Sequence, residues 1–142
     1  MEPTLLGLVL DASIFIAWQS EQTTLAAALN AIRAAMGDVP VVVSPLTIAE
    51  LSHGVLRAET EERRAARRKF VDEIKAHVPI HPFTEGTAEI VARVHADQSL
   101  KGVIIPLSDL IIGACAIELG YAIATRDVRD FDRIPGPEVI TF

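Results

Sequence analysis

The sequence predicts an α/β sandwich, a mostly parallel sheet covered by helices on both faces. Three observations carry this expectation. Half of the 142 residues are hydrophobic and the mean hydropathy is +0.34, which a doubly covered sheet would explain. Several short runs are solidly apolar instead of alternating, as strands buried on both faces are. Segments of helical period separate these runs, and alternating strand and helix is the signature of a parallel sheet with helical crossovers.

The elements follow in order. Leu5–Asp11, "LLGLVLD", reads as a buried strand ending in an acid. A short helix is expected from Ser13 and a longer one over Thr24–Met36. Asp38–Ser44, "DVPVVVS", reads as a second strand, β-branched and stopped by Ser-Pro. Helices are expected over Thr47–Arg57 and Glu59–His77, the latter densely charged. "VPIHPF", residues 78–83, reads as a short third strand. Thr84–Leu100 is amphipathic, and Leu107–Leu119 is an apolar helix ended by Gly120. "YAIAT", Tyr121–Thr125, reads as a fourth buried strand, and "EVITF" as a short last one at an edge. No repeat, low-complexity tract or long Ser/Gly linker interrupts the pattern. The length suits one domain over residues 1–142.

Composition narrows the function classes. The longest apolar stretches are broken by Asp11, Pro106, Asp109 or Glu118, so no membrane helix is expected. "MEPTLLGLVLD" carries an acid and no Lys or Arg, unlike a secretory signal. The lone Cys115 has no partner for a disulfide and reads as a small buried hydrophobe. A reducing cytoplasm is the expected location. A net charge of −6 argues against a sequence-independent nucleic-acid coat protein, whose affinity comes from Lys and Arg displacing counterions. It leaves room for a nuclease that meets phosphate through bound metal.

Four acids are placed toward one edge of this sheet. Asp11 ends the first strand and Asp127 follows the fourth, which puts both at the carboxyl edge, where parallel sheets bind ligands. Glu50 lies early in the helix after the second strand, and Asp109 early in the helix before the fourth. Each has an ordinary explanation. Asp11 suits a turn or helix cap, Thr47-Ile48-Ala49-Glu50 suits a capping box, Asp109 suits a first-turn acid beside a Ser108 cap, and Asp127 suits a turn. Together they are harder to dismiss. Asp11, Glu50 and Asp109 interrupt apolar surroundings, where an unpaired charge is costly. Converging carboxylates repel and raise one another's pKa values. A divalent cation relieves this, and oxygen-only donors suit Mg²⁺ or Mn²⁺.

"LVLDASIFIA", "TIAEL", "PLSDLIIGACAIELGYAIATRDVRDFDRI" and "PGPEVITF" together resemble the PIN-domain nucleases, and within them VapC-type toxins of bacterial toxin–antitoxin pairs. The resemblance implies a PIN-like three-layer α/β/α sandwich. It makes Asp11, Glu50, Asp109 and Asp127 the catalytic, metal-holding acids, with Ser13 and Thr125 beside them. Asp130 is the alternative fourth acid, because the family varies at the position of Asp127. The implied chemistry is Mg²⁺-dependent hydrolysis of RNA, transfer or ribosomal RNA among the candidates. The implied partners are a VapB-type antitoxin, bound across an apolar groove, and a second copy in a homodimer. Another metal-dependent phosphohydrolase acting on DNA, and a non-catalytic regulatory PIN domain, remain as alternatives.

Arg57, Arg63, Arg64, Arg67, Arg68 and Lys69 form the one basic concentration. It reads either as a solvated helix face, ordered by the preceding Glu59, Glu61 and Glu62, or as a grip on an RNA backbone. Glu50-x-x-His53 lacks the second such pair that a di-iron site needs. Pro79 separates His77 from His81, and no zinc site is assigned. Phe15, Ile16 and Trp18 read as core or interface residues.

Overall fold

A computed structural model describes residues 5–142. Its elements run β1 (Leu8–Leu10), α1 (Ala12–Ser20), α2 (Leu25–Met36), β2 (Val41–Val42), α3 (Pro45–Leu56), α4 (Glu61–His77), α5 (Glu85–Leu100), α6 (Leu107–Leu119), β3 (Ala122–Ala124), α7 (Val128–Phe131) and β4 (Val139–Ile140). The sheet order is β2-β1-β3-β4 and every pairing is parallel. The chain leaves β1 toward β2 and later returns to its other side as β3. Strand order therefore reverses between β1 and β3, and the crevice at their carboxyl ends is the place where such sheets take ligands.

The strand residues alternate between two cores, as the period of two requires. Leu8, Leu10, Ala122 and Ala124 face one side, packed with Phe15, Trp18, Ile32, Val55 and Ile74 of α1–α4. Val9 and Ile123 face the other, packed with Val94, Ile112, Cys115 and Phe131 of α5, α6 and α7. Both faces are covered, which is why the strands read as solid apolar runs. On the first side Phe15 meets Trp18 and Phe70 edge-on, at centroid distances of 5.5 and 6.5 Å. No helix among the described residues is long and apolar enough to cross a membrane.

Several local expectations are corrected. The strand expected over residues 78–83 reduces to one bridge between Val43 and Ile80, because Pro79 and Pro82 have no N–H for a ladder. The second strand begins only after Pro40. Helix α3 starts two residues before Thr47. Ser44 caps it, accepting the Leu46 N–H at 3.2 Å, and Pro45 takes the first helical position, where its fixed φ suits the helix and its missing N–H costs nothing. Thr47 and Glu50 therefore form no capping box. Ser108 is no cap either, because α6 begins at Leu107 and Pro106 in the cap position provides no side-chain bond. The charged helix starts at Glu61, with Thr60 accepting the Arg63 N–H at 3.1 Å.

Polar contacts tie α5 and the segment before it to α6. His81 Nε2 lies 2.6 Å from Glu118 Oε1, and Thr87 Oγ1 donates to the same oxygen at 2.9 Å. The hydrogen bond from His81 is the main reason the Glu118 carboxyl sits below the usual range. At the amino end of β1, Gly7 lies directly under the Tyr121 ring. A Cβ built there would fall 2.5 Å from Cζ. Gly7→Ala is therefore expected to lower stability by about 1–3 kcal/mol, the usual cost of overpacking. A urea melt of the variant with an unchanged midpoint would show that Tyr121 moves aside freely.

Candidate active site

The site is organised around Asp11. It follows β1, caps α1 and is only 7% exposed. A buried carboxylate needs donors, and they come from two distant segments. Ser13 Oγ donates to Asp11 Oδ2 at 2.7 Å, and Thr125 Oγ1 donates to the same oxygen at 2.9 Å. The Ser13 N–H adds a longer contact at 3.4 Å. Each hydroxyl then accepts a backbone N–H from the loop after β3. Ser13 Oγ takes that of Arg126 at 3.0 Å, and Thr125 Oγ1 takes that of Asp127 at 2.9 Å. Each hydroxyl can give its one proton to Asp11 while accepting an N–H, and the two hydroxyl oxygens lie 3.1 Å apart. Every hydrogen bond to Asp11 falls on Oδ2, which leaves Oδ1 turned to other uses.

Helices α3 and α6 bring the other two expected acids. Glu50 lies in the second turn of α3 and is exposed. Partial burial of its carboxyl, and then the charge of Asp11, raise its pKa above the ordinary range. Asp109 is the third residue of α6 and half-buried. Its pKa is pushed up to about 6. Burial is the largest cause, followed by the charges of Asp130, Asp11 and Asp127.

Asp127 occupies the cap position of α7, exposed and without a side-chain cap bond. Asp130 lies one turn on, half-buried, with Arg133 Nη1 3.9 Å away. Both acids raise the Asp109 pKa, Asp130 more than Asp127. Sequence spacing placed both near one face but could not tell which points inward. The structure thus brings Asp11, Asp109, Asp127 and Asp130 into one negative field and couples Glu50 to it through Asp11. Among the described residues no three carboxylates, imidazoles or thiols stand as a ready-made metal cage. The donor set is all oxygen and mutually repelling, which fits a hard divalent cation in chemistry. Closing on one would need the carboxylates to draw together.

The basic residues are divided. Arg67 Nη1 donates to the Gly54 carbonyl at 2.8 Å, and Arg64 donates to the Ala58 carbonyl at 3.2 Å and pairs with Glu61. Both therefore fasten α4 to the end of α3. Arg57, Arg63, Arg68 and Lys69 form no ion pair among the described residues. Arg126 reaches back to Glu21 at 3.1 Å. Between α1, α3 and α4 runs a groove of about 670 Å³, lined by Ile16, Leu51, Gly54, Arg63 and Phe70, with Glu50 on its wall.

The family model for the PIN domain matches residues 8–137. Ribonuclease VapC of Rickettsia bellii is 30% identical over 136 residues, 96% of each chain. Ribonuclease VapC1 of Rickettsia felis is 32% identical over 136 residues, with the same coverage. The solved structure of VapBC-5, a member of the VapBC family of toxin–antitoxin systems from Mycobacterium tuberculosis, aligns with a TM-score of 0.73 at 29% identity. The alignment covers 96% of this chain and 99% of that one. The fold, the order of its motifs and this full-length similarity together show that the chain belongs to the PIN-domain family, as one of its VapC-type members.

Proposed function

We propose that the chain, acting as a single PIN domain, is a divalent-metal-dependent endoribonuclease. In this reading it is the toxin of a type II toxin–antitoxin pair, held in check by a VapB-type antitoxin. The observation that carries the reading is similarity along the whole chain to two proteins named Ribonuclease VapC. The repelling acids at the switch point of the sheet support it. Asp11, Glu50 and Asp109 would hold the cation, with Asp127 or Asp130 as the fourth acid and Mg²⁺ or Mn²⁺ as the ion. When bound, such an ion lowers the pKa of a water and shields the phosphate. The protein's own part is geometric. Ser13 and Thr125 hold Asp11 by one oxygen and fix the loop that carries Asp127. A neighbouring carboxylate orients the attacking water and receives its proton. Arg63 and Arg68, free of ion pairs among the described residues, are the better candidates for touching an RNA backbone than Arg64 and Arg67.

The groove beside Glu50 suits an antitoxin segment, because apolar Ile16, Leu51 and Phe70 sit beside charged Arg63 and Glu50. The relative solved as VapBC-5 belongs to a toxin–antitoxin family, which supports such a partner. A homodimer is part of the same reading.

Three outcomes test it. Asp109→Asn is expected to cut RNA cleavage by roughly 100-fold or more, on the scale of the several kcal/mol a positioned cation supplies, and to relieve growth arrest in cells expressing the chain alone. Equal toxicity from the soluble variant would remove Asp109 from the site.

The pH dependence has a definite sign. A carboxyl raised from 3.8 to about 6 is held protonated more tightly in the folded state. Its ionisation then destabilises the metal-free protein progressively between pH 4 and 6, and the full penalty is present above 6. Solvent reaches the half-buried group and reduces the effect. In EDTA, Asp109→Asn should therefore melt roughly 2–4 °C above wild type at pH 8 and level with it at pH 4. Millimolar Mn²⁺ should reverse the order at pH 8. Parallel pH curves for the two proteins would contradict the repulsion.

A Cβ on Gly54 meets nothing within 4 Å, so Gly54→Trp should fill the groove without disturbing the fold. Antitoxin affinity is expected to fall about tenfold or more, equivalent to roughly 1.4 kcal/mol, with RNA cleavage retained. Titration by calorimetry distinguishes this from unaltered binding, which would place the partner elsewhere.

A further inference from the structure

Thr47 is fully buried, and its hydroxyl has no protein partner, the one such side-chain atom among the described residues. An orphaned buried hydroxyl is uncommon and calls for a cause. Its position suggests one. Thr47 is the third residue of α3 and shares the buried stripe Thr47, Leu51, Val55, so it stands at the carboxyl-edge end of the face that α3 turns to the core. Glu50 lies three residues on, a neighbour across one turn, and feels the charge of Asp11. Asp11 in turn has all its hydrogen bonds on Oδ2, with Oδ1 unengaged. The Thr47 N–H already donates to the Ser44 carbonyl at 3.0 Å, and Ser44 Oγ is committed to the Leu46 N–H. The local backbone thus leaves the hydroxyl to something else.

We infer that Thr47 is a positioning residue. Its hydroxyl anchors a buried water at the floor of the acid site, between the first turn of α3 and Asp11 Oδ1, from where the water would support a cation held by the acids. A water there gains partners from both sides, the condition under which buried sites hold one. Hydrogen bonds one step out from a cation orient the groups that hold it, and their loss weakens affinity by roughly 10–100-fold. This assignment rests on the metal reading above.

The test uses Thr47→Val, which keeps the shape and removes the hydroxyl, and Thr47→Ser, which keeps the hydroxyl. High-resolution crystal structures of the metal-free proteins should show a water within hydrogen-bond distance of Thr47 Oγ1 in wild type and none at that place in Thr47→Val. A Thr47 hydroxyl bonded only to the Val43 or Ser44 carbonyl, as helical threonines can be, would overturn the assignment. Calorimetric titration with Mn²⁺ should give about tenfold weaker binding for Thr47→Val and near-wild-type binding for Thr47→Ser. Wild-type affinity in Thr47→Val would overturn the role of Thr47 alone. Failure of the wild type itself to bind Mn²⁺ would overturn the metal reading and this assignment with it.

Discussion

A buried carboxylate at the end of the central strand constrains everything around it. The Asp11 carboxyl in an apolar setting is tolerable only with hydrogen-bond donors, and it recruits them from both sides of the strand crossing. Thr125 is 114 residues away in sequence, and Arg126 reaches Ser13 across 113. The same two hydroxyls that satisfy Asp11 also capture the N–H groups of the following loop. The end of β1, the start of α1 and the loop after β3 are therefore one polar unit. Loss of any member would release the loop that carries Asp127 and leads into α7.

Around that unit the helices bring charge where charge is unfavourable. Asp109 is raised to about 6 because it is partly buried and surrounded by three further acids. Glu50 is raised for the same two kinds of reason. No local stabilisation of the fold explains such an arrangement. Glu50 caps nothing, and Asp109 makes no cap bond. Natural proteins keep destabilising clusters mainly where a site needs them. The surrounding structure can sustain it because the sheet is sealed on both faces by apolar layers, with Leu8, Val9, Leu10, Ile123 and Ala124 wholly buried.

The charged helix α4 has a divided role. Arg67 donates to the Gly54 carbonyl in the last turn of α3, where helical C=O groups lack partners, and Arg64 donates to the Ala58 carbonyl just beyond it. They fasten α4 so that it forms one wall of the groove. Of their neighbours on the same helix, Arg68 is exposed, and Arg63, also exposed, lines the groove. A charge run that looks uniform in composition is thus partly internal mortar and partly surface.

What the chain dictates locally was legible without the fold. Solid apolar runs separated by helical periods fix a parallel, doubly covered sheet, and the strand-ending Asp11 marks its carboxyl edge. The motifs around Ser13, Thr125 and Asp109 point to the family that full-length similarity shows. Helix spans such as Leu25–Met36 and Leu107–Leu119 follow from Thr24 and Gly120 at their ends, because caps act within one turn. Only the tertiary structure decided the rest. Prolines 40, 79 and 82 trimmed the strands once a ladder demanded their missing N–H groups. Ser44 displaced Thr47 as the cap and sent that threonine inward. The fold, not the spacing, set the charge of Asp130 to act on Asp109 more strongly than that of Asp127 does. Arg67 bonded to Gly54 instead of remaining in solvent. Each of these depends on which distant groups meet and on how much water is excluded between them, and neither quantity is carried by any local stretch of sequence.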